Sequence, residues 1–137
     1  MPSACTCFRL RSLTRRVTQL YDRALAPSGL TVTQYSVLAH ALRQGAAPTL
    51  SELAQLLYTD RTTLTRNLKP LADAGLVKVG DGADARSKAV LVTAKGRGAL
   101  RAARPLWKEA QARLRAQAGD RRLAALHGLI EELLHAV

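Results

Sequence analysis

The chain has 137 residues, of which 47% are hydrophobic and only two are cysteines. This length is typical of one domain with a modest core, and two cysteines are too few for the disulfide framework of a secreted protein. No hydrophobic run approaches the roughly 18 residues that span a bilayer, and the N-terminal segment lacks the pattern of a signal peptide. The sequence therefore predicts a cytoplasmic protein without membrane segments.

The charge balance indicates a class of partner. Twenty-one Lys and Arg against ten Asp and Glu give a formal net charge of +11 at pH 7. Such a surplus attracts polyanions, of which nucleic acid is the first candidate and an anionic membrane surface the second. The alternative interpretation is a basic surface that only keeps the protein in solution.

Hydrophobic residues spaced three and four positions apart predict amphipathic helices at both ends of the chain. The first covers residues 5–26 and ends where Pro27 and Gly29 break the pattern. Two more fall within residues 94–137, after a helix cap at Thr93. These three hydrophobic stripes exceed what a small central domain can cover, so we expect them to bury one another across a homodimer.

The pattern of residues 30–97 predicts short helices followed by a β-hairpin. This part belongs to one domain that covers residues 1–137. "TVTQ" (31–34) and "TLSE" (49–52) have capping-box spacing, and Asp60 is a plausible cap for the next helix. "LVKV" and "AVLV" flank "GDGADARSK" as the two strands of a hairpin. The predicted fold class is mainly α with a small β-hairpin wing (α+β), a winged helix-turn-helix with N- and C-terminal dimerisation helices.

The helix after Asp60 and the hairpin carry side chains suited to DNA. The second helix of a helix-turn-helix enters the major groove, where Arg binds guanine through two bonds and Thr offers a hydroxyl and a methyl group. An Arg at a wing tip can enter the minor groove, and an Asp two residues before it can hold its guanidinium. The predicted DNA-binding residues are Arg61, Thr62, Thr63, Thr65, Arg66 and Lys69 on the helix, and Asp84, Arg86, Ser87 and Lys88 on the wing. The alternatives are a solvated helix face and an exposed salt bridge on a loop.

Residues 50–97 resemble the core of the MarR family of bacterial transcription regulators. Here "DARSK" followed by "VTAKG" is similar to the family's "DxRSK" and "LTxKG" signature, through Asp84, Arg86, Ser87, Lys88, Thr93, Lys95 and Gly96. The resemblance implies a homodimer on a pseudo-palindromic operator of double-stranded DNA. It also implies repression of transcription until a signal reshapes the dimer.

Residues 7–35 are similar to the first helix of one branch of that family, the organic hydroperoxide resistance regulators. The similarity rests on Cys7 followed by Phe8 and on the "LTxxQY" pattern at residues 30–35; it implies a redox-sensing Cys7 near the start of the helix and a sensor pocket that includes Tyr21 and Tyr35. Two other tyrosines of the branch's pocket are absent, because Arg11 and Val32 occupy those positions.

The chemistry of the two cysteines leaves alternatives open. A thiolate is the nucleophile towards a peroxide, and neighbouring cations such as Arg9 and Arg11 favour it. The resulting sulfenic acid at Cys7 could condense with Cys5 of the other subunit, because a separation of two residues within one chain is poor geometry for a disulfide. Inert packing of Cys7 is the main alternative. "CTC" has no further ligand nearby, so no metal or other cofactor is predicted.

Other functional classes find less support in the sequence. No histidine can be placed beside Cys7 as a base, and no glycine-rich phosphate loop or paired-carboxylate motif is present, so no enzyme and no catalytic residue is predicted. The family resemblance leaves open a repressor that is controlled by a small aromatic effector rather than by an oxidant. Such ligands bind many family members in a cleft between the dimer helices and the DNA-binding lobe. Binding of the arginine-rich first helix to a membrane surface is a further alternative.

Overall fold

The computed structural model describes residues 4–43, 46–82 and 87–137. Within them, the predicted fold class is confirmed, because helices dominate and one two-stranded hairpin follows the central helices. The elements are α1 (Thr6–Leu25), α2 (Val32–Arg43), α3 (Leu50–Leu56), α4 (Arg61–Asp73), β1 (Val77–Asp81), β2 (Lys88–Val92), α5 (Ala94–Ala118) and α6 (Asp120–Ala136). A 3-10 turn over Ala26–Ser28 joins α1 to α2.

Polar side chains begin the helices where the sequence places caps. The Thr31 hydroxyl accepts a hydrogen bond from the Gln34 N–H at 3.2 Å, and the Gln34 side-chain oxygen accepts from the Thr31 N–H at 3.0 Å. Thr49 caps α3 and Thr93 caps α5 through the same type of bond. These bonds satisfy backbone donors that have no partner within the first turn of a helix.

The main core lies among α2, α3, α4 and the hairpin, with α5 packed against its edge. Its largest fully buried side chains include Leu38, Leu53, Leu64, Leu71, Val77 and Val90. The hydrophobic side of α4 supplies Leu64, Leu68 and Leu71 to this core. The polar side of α4 is left on the surface as a consequence.

The hairpin is antiparallel and is held close to the start of α3. Val77 pairs with Val92 at its base, and Asp81 pairs with Lys88 at the far end of the ladder. An isolated bridge joins Thr49 to Ala89, and the Val90 N–H donates to the Pro48 carbonyl at 2.8 Å. These contacts hold β2 of the wing beside the first turn of α3.

The terminal helices leave hydrophobic surface uncovered in the single chain. α1 packs along α5, and α6 contacts α5 but contains no buried residue. The exposed hydrophobic side chains at the two ends include Leu10, Leu13, Leu129, Ile130 and Leu133. In the described part of the chain, no helix combines the length and the hydropathy that crossing a membrane requires.

Candidate nucleic-acid interface

The start of α4 is fixed by a carboxylate. Asp60 accepts hydrogen bonds from the Thr63 N–H at 2.7 Å and from the Thr63 hydroxyl at 3.0 Å. The bond from the backbone of Thr63, followed by that from its side chain, lowers the pKa of Asp60 below its ordinary value. The Thr63 hydroxyl therefore takes part in the cap, although the sequence places Thr63 among the DNA-binding residues.

The side of α4 opposite the core presents the other predicted residues to solvent. We call this set the recognition face; it consists of Arg61, Thr62, Thr65, Arg66 and Lys69, all exposed. The Thr65 hydroxyl donates to the Arg61 carbonyl at 2.8 Å, and Lys69 forms an exposed ion pair with Asp73 at 3.2 Å. Among the described ranges, neither Arg61 nor Arg66 has an acidic partner within ion-pair distance. Both guanidinium groups are therefore open to an external anion.

The recognition face and the wing share one side of the molecule. A cavity of about 430 Å³ lies between them, and its lining includes Thr62, Arg66 and Lys69 of α4 together with Val79 of β1. A duplex that contacts α4 from this side therefore also meets the hairpin.

The described part of the wing contains two of the four predicted wing residues. Lys88 forms an exposed ion pair with Asp81 at 3.0 Å, and the Gly82 N–H donates to the Ser87 carbonyl at 2.9 Å. Asp84 and Arg86, which the sequence places at the wing tip, lie outside the described residues.

The far end of α4 is tied to the start of α5 by side chains of the "TAKG" segment. The Lys95 ammonium donates to the Ala74 carbonyl at 2.7 Å, just past the last turn of α4. The Thr93 hydroxyl lies 2.6 Å from the Gly75 carbonyl oxygen and 3.1 Å from that of Leu76. These contacts, which we call the α4–α5 anchor, connect α4 to α5, the longest of the helices that the structure describes. The side chains of Thr93 and Lys95 therefore have a structural role in holding the end of α4 beside the start of α5.

A second cavity lies between α2 and α5, away from the recognition face. This α2–α5 cleft has a volume of about 590 Å³, and the rings of Tyr35 and Trp107 stack in its wall with centroids 5.6 Å apart. Burial raises the pKa of Tyr35, and the charge of Arg104 partly offsets that effect. Four arginines line the cleft, and its described lining contains no acidic residue; they are Arg43, Arg97, Arg101 and Arg104.

The α2–α5 cleft was not predictable from the sequence, although a signal for it was present. Arg97, Arg101 and Arg104 recur at steps of four and three, which places them on one side of α5, and Trp107 follows at another step of three. Without the position of α2, that pattern is indistinguishable from a solvated basic stripe.

The structure places Cys7 and the predicted pocket residues Tyr21 and Tyr35 at separate points of one chain. Cys5 stands at the N-cap of α1 and Cys7 lies in its first turn, both exposed. Tyr21 is fourteen residues further along the same helix, which corresponds to roughly 21 Å at 1.5 Å per residue. Its hydroxyl donates to the Gln111 side chain of α5, and burial raises its pKa. Tyr35 lies in the α2–α5 cleft.

A metal centre finds no support in the described part of the chain. No group of three or more His, Cys, Asp or Glu side chains there could hold an ion. His40, the histidine of the α2–α5 cleft, has its Nδ1 atom 2.7 Å from the Ser36 carbonyl oxygen.

Comparisons with known proteins agree with this geometry. A model of the MarR family matches residues 28–87. The chain is 43% identical to the M. tuberculosis transcriptional regulator MosR, with 98% of both chains covered and a TM-score of 0.80. For the structure of that regulator in complex with DNA, the identity is 48% over 95% of this chain and 98% of the other, again with a TM-score of 0.80.

A more distant match is a mutant MarR from E. coli complexed with operator DNA. It is 25% identical, covers 91% of this chain and 90% of its own, and has a TM-score of 0.80. Comparison with curated protein sequences gives no match.

Proposed function

Because this chain belongs to the MarR family of DNA-binding transcription regulators, we propose that it is a cytoplasmic, homodimeric repressor of a pseudo-palindromic operator. We further propose that oxidation of Cys7 releases it from DNA. The observation that carries the first proposal is the cavity that Arg66 and Lys69 of α4 share with Val79 of the wing. It means that one duplex can contact the helix and the hairpin together.

In this proposal α4 enters the major groove, which is about 12 Å wide and admits a helix. Arg61 and Arg66 supply charge and hydrogen-bond donors, while Thr62 and Thr65 offer methyl groups and hydroxyls to base edges. Arg86, on the wing, is proposed to reach the adjacent minor groove. The net charge of +11 adds a general attraction that weakens as salt rises.

The dimer is proposed to form through the ends of the chain. Residues 30–97 then constitute the DNA-binding lobe, and residues 5–26 and 94–137 the dimerisation helices. The hydrophobic side chains that α1 and α6 expose in the single chain become buried against a second copy. Two-fold symmetry places two α4 helices in successive major grooves, about 34 Å apart, which is why the operator should be nearly palindromic.

The oxidation step is proposed from the position of Cys7. An exposed thiol in the first turn of α1 is accessible to a peroxide, and α1 packs along α5, which the α4–α5 anchor connects to the recognition helix. The thiolate takes one oxygen from an organic hydroperoxide, giving a sulfenic acid and an alcohol. Condensation with the Cys5 thiol of the other subunit then gives a disulfide and water. A disulfide between subunits would change how the two α1 helices pack.

A DNA-binding titration tests the proposal. The duplex is the region upstream of the gene, with and without an organic hydroperoxide, and with a reductant added back as a control. The wild type should bind and then release, and Cys7→Ser should stay bound under the same oxidant. Equal release of both proteins would reject Cys7 as the sensor, and no preference for this duplex over an unrelated one would reject the operator. Consumption of one peroxide per thiol, without turnover, separates a sensor from a peroxidase.

A second candidate is control by a small aromatic anion, which the α2–α5 cleft favours. Its four arginines attract a carboxylate, and the stacked Tyr35 and Trp107 offer an aromatic wall. Trp107 is the only tryptophan of the chain, so its fluorescence reports on the cleft directly. Benzoate should quench this fluorescence and release DNA from both the wild type and Cys7→Ser, and Arg104→Ala should weaken both effects. No quenching at millimolar benzoate would reject this candidate.

A further inference from the structure

One residue of the helix-turn-helix has an unfavourable backbone conformation. Tyr58 has φ 52°, and it is the one residue other than glycine with a positive φ among those that the structure describes. It follows the end of α3, where the Thr59 N–H donates to the Ala54 carbonyl at 3.0 Å and the Tyr58 N–H to the Gln55 carbonyl at 3.1 Å. This is the Schellman arrangement, in which glycine is the usual residue because it has no Cβ.

Packing does not compensate for the conformation. The Tyr58 side chain is 64% exposed, whereas the other two tyrosines of the chain are buried. It borders a shallow cavity on the outer surface of α3, together with Glu52, Gln55 and Leu56. A strained residue that the core does not need is an expected feature of a functional surface.

The location of Tyr58 between the two helices of the helix-turn-helix indicates the DNA backbone as its partner. In a helix-turn-helix the first helix crosses the DNA backbone while the second enters the major groove. Tyr58 follows the first helix, α3, and precedes the Asp60 cap of the second, α4. Tyrosine hydroxyls are among the groups that bind phosphate oxygens of DNA.

We propose that the Tyr58 hydroxyl donates a hydrogen bond to a backbone phosphate of the operator and so sets the register of α4 in the groove. The proposal rests on the DNA-binding function proposed above. The segment from Glu52 to Asp60 contains no Lys or Arg, so a phosphate that lies against it needs a neutral donor. A neutral donor that stands out from the turn makes this contact without a further cation, and Asp60 is already engaged with the first turn of α4.

Two substitutions test the proposal by equilibrium DNA binding and thermal unfolding. Tyr58→Phe removes only the hydroxyl and should lower the affinity by about 10- to 100-fold at an unchanged melting temperature, since a hydrogen bond to a charged group is lost. Tyr58→Gly relieves the backbone and should lower the affinity at least as much, with a melting temperature equal to or above that of the wild type. Thr33→Val, which removes an exposed hydroxyl on α2, is the matched control and should bind normally.

The outcomes distinguish failure of the Tyr58 contact from failure of the proposed DNA-binding function on which it rests. A phosphate contact carries no sequence information, so Tyr58→Phe should weaken binding to the operator and to an unrelated duplex by the same factor. Wild-type affinity of Tyr58→Phe would overturn the proposal, as would a loss confined to the operator, which indicates a base contact. A melting temperature of Tyr58→Gly well below the wild type would also overturn it by assigning the side chain to folding. If the wild type binds the two duplexes with equal affinity, the proposed operator is wrong. The affinity of Tyr58→Phe for the unrelated duplex, compared with that of the wild type, then still tests the phosphate contact.

Discussion

Gly96, in the first turn of α5, lies against the backbone carbonyl of Leu76, at the junction between α4 and β1. A Cβ built on Gly96 would overlap that carbonyl oxygen and would also lie 2.8 Å from the Val92 Cγ1 atom. The absence of a side chain at this position therefore allows the first turn of α5 to pack against the segment that follows α4. The adjacent hydrogen bonds of Thr93 and Lys95 need the same close approach.

Gly96→Ala should destabilise the fold, because the atom that it meets is backbone and cannot rotate away. We expect a loss of about 1–3 kcal/mol in the free energy of unfolding, measured by chemical denaturation. Gly98→Ala is the matched control: the same substitution in the same helix meets nothing within 4 Å. It should stabilise the protein by about 0.5–1 kcal/mol, since alanine is the better helix former. Equal effects of the two substitutions would contradict the packing described here.

The cap at Asp60 should make stability depend on pH. Its pKa is lowered in the folded state, so its contribution is complete above the ordinary value of 3.8 and is lost as the pH falls through the folded-state pKa. Asp60→Asn keeps a capping side chain without the charge, and Asp60→Ala removes the cap. At pH 7, Asp60→Ala should melt below the wild type.

The comparison between pH 7 and pH 3 is the decisive measurement for Asp60. The wild type should melt at a higher temperature than Asp60→Asn at pH 7, and this difference should be smaller at pH 3. The reason is that protonation removes the charge at position 60 of the wild type, whereas the variant has no charge there at either pH. An advantage that is the same at both values would show that the charge does not contribute.

The exposed side of α6 should be the part of the molecule that a second copy covers. Leu133 is 50% exposed in the single chain, and Leu133→Arg would place a charge in the proposed subunit contact. The variant should therefore shift the equilibrium from dimer to monomer in sedimentation experiments at micromolar concentration. Leu91→Arg makes the same change at a leucine that is 53% exposed on β2, and should leave the dimer intact. Dissociation of both variants, or of neither, would argue against dimerisation through α6.

The recognition face should contribute to DNA affinity beyond its charge. Arg66→Ala is expected to cost about 1–3 kcal/mol in operator binding, and to relax the sequence preference, when the guanidinium contacts a base. Arg113→Ala removes the same charge from α5, where Arg113 pairs with Glu109 at 2.7 Å outside the recognition face. A similar loss for both would indicate a general electrostatic effect rather than a contact by Arg66. For the wing, Arg86→Ala should likewise weaken operator binding by about 1–3 kcal/mol if Arg86 contacts a base, and an unchanged affinity would remove the wing from the interface.

The local features of the fold followed from the sequence because they depend on neighbours in the chain. A cap such as Asp60 acts over three residues, and the β-branched run "AVLV" lies within strand β2, although nothing in these four apolar letters marks Leu91 as the exposed position. Thr63 shows the limit of such reasoning: its position on α4 suggests a DNA contact, yet its hydroxyl binds the Asp60 carboxylate. The proximity of Asp60 was visible in the sequence, but the rotamer that joins them was not.

By itself the sequence determined the order of the helices and the hairpin, the hydrophobic sides of α1, α5 and α6, and the polar side of α4. Only the tertiary structure decided that α4 and the wing border one cavity, that Lys95 binds the end of α4, and that four arginines converge beside Trp107. The physical reason is that helix periodicity and capping are set by residues within a few positions. Contacts such as these join segments that only the packing of the whole core brings together.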